Sequence, residues 1–158
     1  MDKAGITLTV NSFVSITQGW MQTGGVNPAV TVQLDAGSSP RITLNNDSSL
    51  NVTGGDPTGS KGLALTITVV PALTKPVTPN FSVVGLIVKQ TTGGASIANA
   101  WGSYSVGPGG NVLQVNDNAV VPGASGSVSY EFYVLIQTPS APGSLGDFGL
   151  IDPRITNG

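Results

Sequence analysis

Apolar and polar residues alternate with a period of two through most of this chain. Near the N-terminus, apolar residues at even positions between Ile6 and Ile16 are interleaved with Thr7, Thr9 and Asn11, a pattern typical of a strand with one buried face. Similar stretches follow, separated by clusters of turn residues, at 30–34, 42–44, 50–52, 63–69, 112–115, 119–121, 127–137 and 148–155. The stretch 81–88 is instead apolar on both faces, which predicts a strand covered on both sides. No segment shows the period of a helix, so the alternation predicts an all-β chain.

Composition agrees with this prediction. The 158 residues include 22 Gly and 11 Pro, which favour turns, and 39% are hydrophobic, enough for a packed core. Turn clusters recur every 8 to 15 residues or so, which favours an antiparallel two-sheet β-sandwich, Ig-like or jelly-roll-like, of about eight to nine strands. We predict a single domain over residues 1–158. Its core should contain Val128, Tyr130, Phe132, Val134 and Ile136.

The residue types that are missing exclude much of the usual chemistry. The chain has no His and no Cys, which removes Ser-His-Asp triads, cysteine nucleophiles, common zinc sites, iron–sulfur clusters and disulfides. Its six cations are scattered and form no basic stripe, which argues against nucleic-acid binding. We therefore predict a protein that is not an enzyme and does not bind nucleic acid.

Apolar stretches in this chain are short. None reaches the roughly 18 residues needed for a membrane helix, so no membrane span is predicted. The N-terminus lacks the basic and apolar regions of a secretory signal, which predicts a cytoplasmic protein, with a mature secreted chain as the alternative.

The C-terminal segment from Gly149 to Thr156 contains Asp152-Pro153 followed by Ile155. It resembles the Asp-Pro-x-Ile ending of the bacterial PixA/AidA-type inclusion-body proteins, and the alternating opening from Ile6 to Val10 is similar to their first strand. The chain departs from that family in having Phe148-Gly-Leu-Ile where aromatic residues usually precede the Asp-Pro. The resemblance implies a non-enzymatic β-sandwich that accumulates in the cytoplasm and packs against copies of itself. An Asp before Pro also favours extended backbone on local grounds alone, so both explanations of the dipeptide stay open.

One candidate metal site is the sequence Asn116-Asp117-Asn118, which predicts a short connection between two strands. Calcium takes oxygen ligands from Asp and Asn side chains on loops, so these residues are candidate calcium ligands. The alternative is an Asx-type turn, in which the same side chains bond to their own backbone.

Three aromatic residues, Trp20, Trp101 and Tyr104, lie in Gly- and Ser-rich segments outside the clean strand patterns. On exposed loops they would stack against a sugar or a partner chain. The alternative is that the indoles cover the ends of the core.

Low charge points to self-association. Only 9% of the residues are charged, against roughly 25% in an ordinary soluble domain, and the net charge is -2. Weak self-repulsion and few Lys at strand edges favour a self-associating structural protein that forms an oligomer, a filament or an inclusion body. The alternative is a carbohydrate-binding, lectin-like module with calcium as an optional ligand. The first strand, residues 6–16, has no charge and no Pro, so we predict it as the contact edge, with Thr7, Thr9 and Asn11 on its outer face.

Overall fold

The computed structural model describes residues 1–72, 81–92, 101–107, 109–121, 128–138, 146–152 and 154–157. Within these residues the chain forms twelve strands and no helix, which confirms the all-β prediction. The strands are β1 (Asp2–Val10), β2 (Met21–Gln22), β3 (Val30–Leu34), β4 (Ile42–Leu44), β5 (Leu50–Val52), β6 (Leu63–Pro71), β7 (Ser82–Thr92), β8 (Trp101–Val106), β9 (Val112–Asp117), β10 (Val128–Gln137), β11 (Phe148–Asp152) and β12 (Arg154–Asn157).

These strands form two sheets. The five-stranded sheet has the order β3-β1-β6-β9-β8. In the seven-stranded sheet β10 is central, with β7 along one side and with β11 and β12 along the other. Strand β2 extends this sheet beyond β11, and β5 and β4 extend it beyond β12. Inner residues of both sheets belong to one buried hydrophobic cluster, which makes the fold sandwich-like.

Strand pairing differs from the antiparallel prediction. Three pairs are parallel, namely β1 with β6, β2 with β11 and β5 with β12, and the other pairs of named strands are antiparallel. Parallel neighbours need a long crossover, and β2 to β5 lie within the connection from β1 to β6. Alternation describes which face is buried and carries no information on strand direction, so the sequence pattern did not distinguish the two arrangements.

The number of strands also exceeds the prediction. The short strand β2 and the Ser- and Gly-rich strand β8 show little apolar alternation and were not predicted. The predicted last strand is divided into β11 and β12, which lie on either side of Pro153 in the sequence, and Pro lacks the backbone N–H that a ladder needs. The predicted strand at 119–121 is reduced to an isolated bridge between Val120 and Asp56.

The first strand is shorter than predicted, and it is an interior strand. It ends at Val10, because the backbone N–H groups of Asn11 and Ser12 both donate to the carbonyl of Ala29 and the chain turns there. One side of β1 pairs with β3 and the other with β6, so Thr7 and Thr9 have a neighbour on each side, and Asn11 lies outside the strand. The prediction of a contact edge at Thr7, Thr9 and Asn11 is therefore wrong. A strand without charges is as typical of a sheet interior as of an open edge.

The core follows the predicted alternation most closely in β10. Every second residue of this strand is buried, and the buried set is Val128, Tyr130, Phe132, Val134 and Ile136, as predicted. Strands β1 and β6 alternate in the same way and bury one face of the five-stranded sheet.

Candidate functional site

Trp101 lies in the core. Its side chain is only 9% exposed, and its ring meets that of Tyr130 edge-on with centroids 5.7 Å apart. Phe132 lies against the same indole at 6.1 Å. The indole therefore covers one end of the core, and the prediction that Trp101 is a ligand-binding residue on an exposed loop is wrong.

The predicted calcium ligands do not converge. Asn116 and Asp117 are consecutive residues of β9, so their side chains point to opposite faces of the sheet, with Asn116 exposed and Asp117 fully buried. The Asp117 Oδ1 atom accepts a hydrogen bond from the Ala119 backbone N–H at 2.7 Å, and Ala119 has a positive φ of 51°. This is the Asx-type turn, so the calcium site at Asn116, Asp117 and Asn118 is a wrong prediction. Among the described residues no group of three His, Cys, Asp or Glu side chains could hold a metal ion.

Tyr130 lies near the same carboxylate. Burial, and secondly the negative charge of Asp117, raises the pKa of the Tyr130 phenol from 10.0 to about 12. This pair is part of the buried core rather than of an open site.

Two edge strands, β7 and β8, lie side by side at one margin of the molecule. In the part of the chain that the structure describes, β7 pairs with β10 alone and β8 pairs with β9 alone. The backbone N–H of Val83 donates to the carbonyl of Gly110 at 2.6 Å, which ties β7 to the connection between β8 and β9. A Cβ atom at Gly85 would lie 3.4 Å from the Tyr104 hydroxyl, so Tyr104 reaches across from one sheet to the other.

Large apolar side chains are exposed along this margin. Val84 and Ile87 of β7 are 43% and 53% exposed, and Tyr104 and Val106 of β8 are 44% and 42% exposed. The prediction that the strand at 81–88 is covered on both sides is therefore wrong. We call these four residues the open seam. Lys89 is the single charged residue in the two strands. Natural sheet edges usually carry charged residues or Pro, or are covered by another segment, which prevents pairing with other chains. An apolar edge with one charge is therefore a candidate interface.

The remaining sheet edges are less suited to a partner. Strand β2 has two residues and β4 has three, which offers few backbone groups to a neighbour. Strand β3 is longer but presents the polar side chains of Thr31 and Gln33 to solvent. Strand β7 has eleven residues and pairs without interruption from Gly85 to Gln90, between two bulges.

A second candidate site is a cleft of about 320 Å³ where three separate segments meet. We call it the Trp20 cleft. It is lined by Trp20, Gln22, Thr23, Asp47, Ser49 and Asp152, with Gly24 beside them. Trp20 is 55% exposed, and Tyr104 is not among the lining residues, so the predicted aromatic residues do not form one surface.

Strand β2 positions the first wall of the cleft. The buried side chain of Met21 anchors the strand, which pairs in parallel with Ile151 and Asp152 of β11. Trp20 and Gln22 flank this anchor and are both exposed. The Thr23 hydroxyl donates to the Asp152 carbonyl at 3.1 Å, which holds the following residue against β11.

The connection between β4 and β5 provides the opposite wall. The Asp47 Oδ1 atom accepts hydrogen bonds from the backbone N–H and the hydroxyl of Ser49, which fix the carboxylate. A Cβ atom at Gly24 would lie 3.0 Å from the Asp47 carbonyl oxygen, so glycine permits the close approach of the two walls.

The sequence analysis found one residue of this cleft, Trp20. It missed Gln22 and Thr23, which carry no local signal that separates them from other polar loop residues, and it did not connect Asp47 or Asp152 with Trp20. Gln22 and Asp152 meet because β2 pairs with β11, and Asp47 joins them because Gly24 lets the connection between β4 and β5 approach closely.

The chain matches no family model, no curated protein and no solved structure at significant similarity. In the described part of the chain, no helix is long and apolar enough to cross a membrane.

Proposed function

We propose that this protein is a non-enzymatic structural subunit that self-associates through the open seam. The observation that carries this proposal is the exposure of four large apolar side chains, Val84, Ile87, Tyr104 and Val106, on two adjacent edge strands. We propose in addition that the two sheets face each other as layers of a sandwich, because their inner residues belong to one buried cluster.

Strand β7 supplies the backbone for such a contact. An edge strand binds a second extended strand through main-chain hydrogen bonds, while alternate side chains give specificity. The regular stretch from Gly85 to Gln90 is long enough for this mode, and Ile87 projects from its middle. Covering Ile87 and Val84 with a second copy removes apolar surface from water, which favours association.

Charge does not oppose the contact. The net charge is -2 for 158 residues, so two copies repel each other weakly. Each copy offers one open seam, and pairing of the same surface on two copies produces a closed two-fold dimer. The resemblance of the chain ends to the PixA/AidA-type inclusion-body proteins agrees with assembly from identical copies.

The test is the mass of the purified protein in solution, measured by light scattering over a range of concentration and salt. We expect the parent protein to be a dimer. Replacement of Val84 and Ile87 by Lys places like charges on both sides of the joint, so this variant should be a monomer at low salt and should regain dimer as salt screens the charges. Both positions are exposed, so the fold should survive.

The matched control is the double variant Thr31→Lys, Gln33→Lys, which adds the same charge to the exposed edge of β3. It should remain a dimer. A parent protein that stays monomeric at every concentration would refute the proposal, and so would a Val84→Lys, Ile87→Lys variant that dimerises as well as the parent.

A further inference from the structure

We propose that the Trp20 cleft binds a neutral sugar, and that it does so independently of the open seam. The cleft volume of about 320 Å³ is within the range of small-molecule sites, which is roughly 300 to 1,000 Å³. Its lining combines one large aromatic face with several hydrogen-bonding groups, the combination that a sugar ring requires.

Trp20 supplies the apolar contact. Its indole is 55% exposed and borders the cleft, and it lies directly beside the buried anchor Met21. A sugar ring has one face of C–H groups and a rim of hydroxyls, so it buries apolar area against an indole while its hydroxyls stay available. A large exposed indole that lines a polar cleft meets this requirement.

Polar residues around the indole match the hydroxyl groups. The carboxylates of Asp47 and Asp152 accept hydrogen bonds, and the Gln22 amide both donates and accepts. The Asp47 carboxylate is already held in place by two hydrogen bonds from Ser49, and the backbone of Asp152 is held by its pairing with β2. A site fixed before binding loses less conformational entropy when the ligand enters.

The charged residues that line the cleft determine which type of sugar it binds. Two carboxylates line the cleft, and none of its described lining residues is Lys or Arg. An acidic sugar would bring its own carboxylate against Asp47 and Asp152, which is unfavourable. Neutral hexoses and N-acetylhexosamines avoid this repulsion.

The proposal is tested by calorimetric titration of the parent protein with the methyl glycosides of glucose, galactose, mannose and N-acetylglucosamine, and with glucuronic acid. We expect millimolar or tighter binding of at least one neutral glycoside and weaker binding of glucuronic acid. The variant Trp20→Ala should lose about tenfold or more in affinity, and Trp20→Phe should lose less because it keeps an aromatic face.

Controls show whether a loss of sugar affinity comes from the Trp20 cleft, from the open seam or from misfolding. Tyr104→Ala removes another exposed aromatic residue and should leave the affinity unchanged, as should the Val84→Lys, Ile87→Lys variant. In Trp20→Ala the buried Trp101 is the remaining tryptophan, so its fluorescence reports whether the core is intact. The proposal is overturned if none of the neutral glycosides binds at millimolar concentration, if glucuronic acid binds as tightly as they do, or if a folded Trp20→Ala variant binds as tightly as the parent.

Discussion

At the scale of single residues, Tyr130 has an environment that makes stability depend on pH. Its side chain is fully buried, and within the described part of the chain no protein group accepts or donates a hydrogen bond at its hydroxyl. Burial and the Asp117 charge raise its pKa from 10.0 to about 12 in the folded state. Between these two pH values the unfolded chain loses the phenolic proton while the folded protein keeps it. Stability therefore falls as pH rises through this range.

Replacement of Tyr130 by Phe tests this explanation. At neutral pH we expect a change in unfolding free energy of less than about 1 kcal/mol, because the lost hydroxyl makes no hydrogen bond to the described protein groups. Above pH 10 the variant should lose less stability than the parent, since it has no phenol to ionise. Urea unfolding at neutral and alkaline pH measures both effects. Equal loss of stability in the two proteins would show that the Tyr130 phenol is not responsible.

At the scale of elements, the position of a strand within its sheet decides what a surface substitution does. Thr9 lies on β1, which pairs with β3 on one side and with β6 on the other. At this position the strand therefore has no open edge with which another chain can pair. We expect Thr9→Lys to leave the solution mass unchanged at low salt, in contrast to the Val84→Lys, Ile87→Lys variant. If Thr9→Lys also produced monomers, the outer face of the five-stranded sheet would be the interface instead of the seam.

At the scale of the whole molecule, the two proposed sites lie at different margins of the seven-stranded sheet. Strands β11 and β10 separate β2, which carries the cleft, from β7, which carries the seam. A dimer joined through the seam therefore leaves two clefts open. Two linked sites bind a multivalent surface more tightly than one, commonly by about 10²- to 10⁴-fold.

This arrangement predicts a difference between free and immobilised sugar. The parent and the Val84→Lys, Ile87→Lys variant should bind the soluble neutral glycoside with the same affinity. On a surface densely coated with that glycoside, the dimeric parent should dissociate at least about tenfold more slowly than the monomeric variant. Biosensor measurements at low ligand density serve as the control, where the difference should disappear. Equal dissociation rates of the two proteins from the dense surface would mean that the two clefts of a dimer cannot bind this surface at the same time.

The sequence by itself determined the class of structure and much of the core. The alternation in β10 correctly identified Tyr130 and Phe132 as buried, because side chains on a strand alternate between its two faces whatever its neighbours are. Turn clusters between the apolar stretches also identified strands such as β6. Like alternation, turn residues act over a few consecutive residues. For Trp20 the Gly-rich surroundings left an exposed and a core-covering position open, and the structure shows the exposed one.

Only the tertiary structure decided which strands are neighbours and which side chains meet. Strand β1 was interpreted as an edge and is an interior strand, and Trp101 was interpreted as a loop residue and packs on Tyr130. The walls of the Trp20 cleft come from segments as distant as Gln22 and Asp152, joined by a parallel pair. Alternation is a property of a few consecutive residues, whereas pairing, direction and edge status depend on contacts between segments far apart in the chain.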